Sequence, residues 1–126
     1  MFTLYENLLP NDIFQNLYSN LRNRTNWAFT NTSLSKEDLN KFQSEDDIVF
    51  WTLPLNEDTI FTEILLDKIN EVTQKKFKII RVYANGQSHG QSGDLHADDL
   101  REDAYTFLYY VNPVWNLKWG GATVFY

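Results

Sequence analysis

The residues best suited to chemistry in this chain are His96 and Asp98, which stand two positions apart in the tripeptide His-Ala-Asp. On an extended strand such residues project from the same face, so this imidazole and this carboxylate would lie within a few ångströms of each other. A pair held in this way can chelate one metal ion, and a second histidine from elsewhere would complete the facial triad of a non-haem Fe(II) site. Taken alone, the tripeptide also fits a polar surface turn.

Three segments around the tripeptide extend the pattern. The first is Arg81-Val-Tyr-Ala, followed by the Gly-, Ser- and Gln-rich loop from Asn85 to Gly93 that leads to the tripeptide. The second is Tyr-Thr-Phe-Leu-Tyr-Tyr-Val-Asn-Pro-Val-Trp at 105–115, and the third is Gly-Gly-Ala-Thr-Val-Phe at 120–125. From about Lys78 to Tyr126, this order of elements resembles the core of the prolyl 4-hydroxylase-like oxygenases, which depend on 2-oxoglutarate and Fe(II).

The resemblance implies a site and an activity. It makes His96 and Asp98 ligands of Fe(II), and it makes Tyr83 and Tyr110 candidates to line the 2-oxoglutarate pocket. The implied reaction is dioxygenase hydroxylation of a C–H bond, in a peptidyl proline or a similar side chain, with 2-oxoglutarate as cosubstrate and ascorbate as an additional candidate cofactor. Strands carrying the two tyrosines would turn them toward the inside of a barrel, with ordinary core packing as the alternative for each.

Other residues near the tripeptide are weaker candidates. His89 is the only other histidine and so the only internal source of a second imidazole, but its Gly-, Ser- and Gln-rich loop favours a solvated or substrate-facing side chain. Asp99 is not assigned to the metal. Trp115 and Trp119 flank the final turn, where packing around a barrel rim is the preferred interpretation.

In the family that the chain resembles, strands after the Gly-Gly-x-Thr-x-Phe segment supply the distal histidine ligand and the basic residue that pairs with the far carboxylate of 2-oxoglutarate. This chain stops at Tyr126. Three expectations follow: a shortened chain, an enzyme completed by a second polypeptide, or a homo-oligomer that exchanges strands. The alternative function, from another class, is a catalytically silent jelly-roll module that acts in binding or assembly with a partner chain.

Hydrophobic periodicity predicts the elements that would position these residues. Apolar residues at helical spacing predict amphipathic helices at 11–24, capped by Asn11 or Asp12, and at 58–73. Segments rich in β-branched or aromatic residues predict strands at 27–29, 48–53, 77–84, 95–98, 104–111 and 122–126. Helices before a run of strands predict an α+β fold: a single domain, 1–126, with a double-stranded β-helix (jelly-roll) core that lacks its last strands and N-terminal helices packed on one sheet.

Composition limits the partners. Seventeen acidic and eleven basic side chains give a net charge of −6, which disfavours nucleic acid and anionic membrane surfaces as partners. A peptide or protein substrate is what the family resemblance implies. Because the chain has no cysteine, any metal site must use His, Asp or Glu. The N-terminus does not have the pattern of a signal peptide and no apolar run is long enough to span a membrane, so a soluble, cytoplasmic protein is expected.

Overall fold

The computed structural model describes residues 2–31, 49–93 and 96–125. The chain divides into two compact units. The first, called here the helical unit, consists of Met1–Asn26, Leu53–Ala84 and Val111–Pro113. The second, the loop-rich unit, consists of Trp27–Thr52, Asn85–Tyr110 and Val114–Tyr126. The predicted α+β class is confirmed, and the assignment of 1–126 to a single domain stays a prediction.

The first helix, α1, spans Asn11–Asn23 and confirms the first predicted helix. The predicted side-chain cap by Asn11 or Asp12 is wrong, because the helix is already initiated at Pro10 and no side chain caps it. The carbonyl oxygen of Pro10 accepts the amide proton of Phe14 at 2.9 Å. A proline fits this position because the amide proton that it lacks would have no partner within the helix.

The second predicted helix is also present, in two parts. Residues Ile60–Leu65 form a π-helical segment, and Leu66–Thr73 form the α-helix α2. Oδ1 of Asp58 accepts the amide proton of Ile60 at 3.1 Å, which satisfies a donor that the first turn cannot pair internally. The helix ends at Gln74, which adopts a left-handed φ of 53°. None of the described helices is long and apolar enough to cross a membrane.

The buried core of the helical unit comes from both helices and from the chain beside them. Its members are at most 8% exposed: Leu9, Leu17, Leu21, Leu53, Leu55, Phe61, Leu65 and Ile69. Burial of each leucine side chain contributes roughly 1.5–3 kcal/mol. In the loop-rich unit, Phe50 is the only buried hydrophobic residue among those described. The described hydrophobic core therefore belongs almost entirely to the helical unit.

Among the described residues, three short strands form one sheet in the order β1-β2-β3. They are β1 at Ala28–Asn31, β2 at Phe50–Pro54 and β3 at Tyr83–Gly86. β1 runs antiparallel to β2, and an irregularity interrupts the register after its second pair: Ala28↔Thr52, Phe29↔Trp51 and then Asn31↔Phe50. The strands predicted near Phe29 and at 48–53 are thereby confirmed, and only the end of the strand predicted at 77–84 is present.

The remaining predicted strands are wrong for the residues that the structure describes. The chain is irregular at 96–98, at 104–111 and at 122–125. Alternating apolar side chains stabilise a strand where one face is buried, whereas Phe107 is 43% and Tyr110 59% exposed. The jelly-roll core is not confirmed and stays a prediction. Outside the described residues lie three members of predicted strands: Ile48, Leu95 and Tyr126.

Candidate functional site

His96 and Asp98 lie side by side in the loop-rich unit, as the sequence predicts. Nε2 of the imidazole is 3.1 Å from Oδ1 of the carboxylate. The backbone of both residues is irregular, and Asp98 lies at a bend, so a bend rather than the predicted strand brings the two side chains together. The side chains are partly exposed, at 40% for His96 and 37% for Asp98, so a ligand from solvent can reach the pair.

The separation of these two atoms fits two neighbouring positions around a metal ion. Ligand atoms about 2.1 Å from a metal and at right angles to each other lie about 3 Å apart. In the hydrogen-bonded form of the pair, His96 carries the proton on Nε2 and donates it to Asp98. A metal ion at Nε2 would replace this hydrogen bond, with the imidazole proton then carried on Nδ1.

A third protein ligand is not found in the described part of the chain, where no three His, Asp or Glu side chains are grouped so as to hold a metal ion. His89 is exposed, in a turn closed by two hydrogen bonds. The amide of Gln91 donates to the carbonyl oxygen of Ser88 at 3.1 Å, and the amide of Ser88 donates to Oε1 of Gln91 at 2.6 Å. This turn presents His89 to solvent, in line with the prediction of a solvated or substrate-facing histidine.

Asp99, next to the pair, is bound by Arg101. Its carboxylate accepts hydrogen bonds from Nε of Arg101 at 2.9 Å, from Nη2 at 2.6 Å and from the backbone amide at 3.0 Å. These hydrogen bonds and the charge of Asp99 raise the pKa of Arg101 above its ordinary value. The guanidinium therefore balances the charge of this carboxylate, and the exclusion of Asp99 from the metal site stays a prediction.

The two candidate tyrosines lie in different units. Tyr83 begins β3 in the helical unit, and the guanidinium carbon of Arg81 lies 5.5 Å from the centre of its ring, so the two side chains share the predicted face. Tyr110 lies in the loop-rich unit, where its phenol oxygen is 2.5 Å from Oγ1 of Thr123. Thr123 is the threonine of the Gly-Gly-x-Thr-x-Phe segment, and its contact with Tyr110 was not predicted.

A pair of tryptophans in the loop-rich unit has a defined geometry that sequence analysis missed. The rings of Trp115 and Trp119 are 5.5 Å apart and perpendicular, at 86°. Nε1 of Trp115 donates to the carbonyl oxygen of Gly120 at 2.9 Å. Gly121 has a φ of 76°, and a Cβ atom there would lie 2.8 Å from Cζ2 of Trp115. The Gly-Gly dipeptide at 120–121, against which the Trp115 ring packs, was the sequence feature that could have indicated this geometry.

A cleft in the helical unit was also not predicted. Its volume is about 680 Å³, and most of its lining is polar: Arg24, Asn26, Asn56, Glu57, Asp58 and Thr59, with Pro54 and Leu55. Arg24 is fixed there by Nε, which donates to Oδ1 of Asn20 at 2.9 Å, and by Nη2, which donates to Oδ2 of Asp58 at 2.5 Å. Because 34 residues separate Arg24 from Asp58, no local motif could have indicated this pair.

Comparison of the chain with protein-family models, with curated proteins and with solved structures finds no match in any of the three. The functional assignment therefore depends on the geometry of the side chains and on the resemblance in motif order.

Proposed function

We propose that the chain is a non-haem Fe(II)- and 2-oxoglutarate-dependent dioxygenase of the prolyl 4-hydroxylase-like type, with a peptidyl proline as the leading substrate. The observation that carries the proposal is the 3.1 Å approach of His96 Nε2 to Asp98 Oδ1 on an exposed bend. Bound Fe(II) and 2-oxoglutarate would supply the oxidation, in which O₂ converts a C–H bond to C–OH and the cosubstrate to succinate and CO₂.

The charges around the pair support a divalent cation. His96 offers an imidazole nitrogen and Asp98 a carboxylate, which is the mixed nitrogen and oxygen ligand set of non-haem Fe(II) sites. The neighbouring carboxylate of Asp99 is held by Arg101 at 2.6 Å. That ion pair keeps Asp99 from competing with Asp98 for the cation, so the pair offers one carboxylate rather than two.

We propose that Tyr110 lines the 2-oxoglutarate pocket, and Tyr83 remains a second candidate for that pocket. The phenol of Tyr110 and the hydroxyl of Thr123 are 2.5 Å apart, so one of them donates to the other. The second hydroxyl retains a proton for an outside acceptor. A carboxylate oxygen of 2-oxoglutarate is such an acceptor, and Tyr110, which is 59% exposed, is accessible to it.

The activity also needs a further histidine ligand and a basic group for the far carboxylate of 2-oxoglutarate. In the described residues, no third metal donor accompanies His96 and Asp98. We propose that a complementing chain, either a second copy or a different polypeptide, supplies these groups. Such a chain would have to bind next to the His96–Asp98 bend.

The test is an anaerobic titration of the full chain with Fe(II) and 2-oxoglutarate, monitored through the weak visible charge-transfer band that forms when the cosubstrate chelates iron. We expect a band that is lost in His96→Ala and in Asp98→Ala. His89→Ala, at an exposed histidine of the same unit, is the matched control and should keep the band. A band of unchanged strength in both site variants would disprove the assignment.

A catalytically silent module that binds a partner chain is the second candidate. It is favoured by two observations on the described residues: no group of three metal donors is present, and thirteen large hydrophobic side chains of the loop-rich unit are exposed. The same titration separates the two functions. A chain that binds a partner but gives no charge-transfer band, alone or with that partner, would be the silent module.

A further inference from the structure

The charge of the chain is distributed unevenly between its two units. Among the described residues, the helical unit carries seven acidic and seven basic side chains, whereas the loop-rich unit carries four acidic and two basic ones. The described part of the helical unit is therefore neutral, and that of the loop-rich unit is negatively charged. A unit with this excess attracts cationic partners and repels anionic ones, including another copy of itself.

The exposed apolar surface follows the same division. Of the nineteen large hydrophobic residues that the structure describes as exposed, thirteen belong to the loop-rich unit. That unit holds only one of the nine described hydrophobic residues that are buried. Exposed apolar side chains mark interaction sites where they lie together in a patch, as the adjacent rings of Trp115 and Trp119 do. The unit that carries the negative charge thus also carries the surface suited to an interface.

The most clearly shaped part of this surface is the indole corner, defined as Trp115 and Trp119. The two rings lie at 86° to each other, with the edge of one toward the face of the other. Two glycines hold the ring of Trp115. The carbonyl oxygen of Gly120 accepts a hydrogen bond from its Nε1 at 2.9 Å, and Gly121 packs closely against the ring. Trp115 is 51% and Trp119 54% exposed, so each presents about half its surface to a partner. Because the Trp115 ring is already held in place before a partner binds, binding would cost little side-chain entropy there.

We propose that the indole corner docks an arginine or lysine side chain of a basic, partly apolar protein segment. The face of a tryptophan ring attracts guanidinium and ammonium groups, and tryptophan and arginine dominate the energetics of protein interfaces. The acidic excess of the unit adds a longer-range attraction for the same partner. The proposal does not depend on the metal site, because it involves neither His96 nor Asp98.

The sign of the charge decides against other occupants. Nucleic acids and anionic lipid surfaces are repelled by the loop-rich unit. A second copy docked through the same surface would bring together two units whose described residues each carry a net negative charge. A basic segment is the occupant whose charge and side chains both match.

Lys118 provides a way to distinguish this docking mode from simple apolar contact. It lies between the two tryptophans in the chain and is exposed, in the short 3₁₀ turn Leu117–Trp119. Its positive charge opposes a cation at the indole corner. Lys118→Glu should therefore strengthen the binding of a basic segment, roughly threefold, whereas purely apolar docking would not gain from this change.

The experiment measures the fluorescence anisotropy of a labelled synthetic peptide, rich in arginine and lysine with leucines between them, as the full chain is added. We expect binding that weakens with added salt and that is about tenfold weaker for the same peptide with glutamine at every basic position. Trp115→Ala and Trp119→Ala should each weaken binding roughly fivefold. Trp51→Phe, at an exposed tryptophan of the same unit, is the control and should leave the affinity unchanged.

Four results would overturn the proposal: equal binding of the glutamine peptide, wild-type affinity in both tryptophan variants, preferential binding to phosphatidylcholine vesicles, or a dimer in sedimentation equilibrium that Trp119→Ala dissociates. Should a tryptophan variant fail to fold, Lys118→Glu and the peptide comparison still decide the question, since neither removes an aromatic ring.

Discussion

Arg24 and Asp58 form an ion pair across 34 residues of chain, with Nη2 2.5 Å from Oδ2. The other oxygen of the same carboxylate, Oδ1, accepts the amide proton of Ile60 at 3.1 Å. Asp58 is only 11% exposed and Arg24 34%, so solvent screens the pair less than it screens a surface ion pair. One carboxylate therefore links the end of α1 to the start of the second helix and also satisfies the first turn of that helix.

Removal of this carboxylate should destabilise the chain more than removal of an exposed ion pair. We expect Asp58→Ala to lower the free energy of unfolding by about 2–4 kcal/mol, because the ion pair and the helix cap are lost together. Asp58→Asn keeps an oxygen acceptor for Ile60 and should recover about 1 kcal/mol. The control is Glu71→Gln, which breaks the exposed Lys68–Glu71 pair and should cost at most about 0.5 kcal/mol. Urea unfolding followed by circular dichroism measures all three, and equal losses for Asp58→Ala and Glu71→Gln would contradict the linking role.

Leucines of the two units should respond to truncation in opposite ways. Leu17 is completely buried in the helical unit, whereas Leu100 in the loop-rich unit is 92% exposed. Leu17→Ala should cost about 2–5 kcal/mol, through lost burial and the cavity left behind. Leu100→Ala should change the stability by less than about 0.5 kcal/mol. A large loss in the second variant, measured by the same urea unfolding, would mean that Leu100 packs against a partner or another copy in solution.

Local patterns in the sequence predicted the helices and the proximity of His96 and Asp98. An amphipathic helix buries apolar residues spaced three and four positions apart, a pattern that a strand does not produce. The helix α1 and the second helix could therefore be recognised from their apolar positions. Two residues separated by one position lie close in several backbone conformations, which is why the pair was found although a bend replaces the expected strand. Local spacing is thus enough where chain neighbours make the contact.

Contacts between distant segments could not be predicted in this way. Arg24 and Asp58 are 34 positions apart in the sequence, and Tyr110 and Thr123 are 13 positions apart, so both contacts exist only once the chain has folded. The strand predicted at 104–111 failed for a related reason. Apolar and aromatic content favours a strand only if another surface buries one of its faces, and Tyr110 remains 59% exposed.

The two glycines after the last turn should differ in their tolerance of alanine. Both have a left-handed φ, of 74° for Gly120 and 76° for Gly121. A Cβ at Gly120 meets nothing within 4 Å, whereas a Cβ at Gly121 would lie 2.8 Å from the Trp115 ring. Gly120→Ala should cost about 1 kcal/mol from backbone strain, and Gly121→Ala about 1–3 kcal/mol more because the indole must move. The wavelength of tryptophan fluorescence should shift only in Gly121→Ala. An identical spectrum in both variants would contradict the close packing of Trp115 against Gly121.

Tyr109 should contribute to loss of stability at alkaline pH. Its partial burial raises the pKa of its phenol above the ordinary value. The pKa of Tyr109 is therefore higher in the folded chain than in the unfolded chain, where it is about 10. The stability that the neutral phenol contributes is fully present below the unfolded pKa and is lost as the pH rises through the folded pKa. Tyr109→Phe cannot ionise and should reduce this alkaline loss, whereas Tyr105→Phe, at an exposed tyrosine, serves as the control. Urea unfolding at several alkaline pH values, with the phenolate absorbance recorded in parallel, measures the effect, and identical curves for the wild type and Tyr109→Phe would contradict it.

A metal ion bound at His96 and Asp98 should stabilise the folded chain. A ligand that binds only the folded state adds about 2.7 kcal/mol at a hundredfold excess over its Kd, so Mn(II), which resists oxidation in air, should raise the midpoint of thermal unfolding. His96→Ala and Asp98→Ala each remove a ligand and should abolish most of this rise, while His89→Ala should retain it. Stabilisation that persists in both site variants would mean that the metal binds elsewhere, and the proposed oxygenase site would then have to be abandoned.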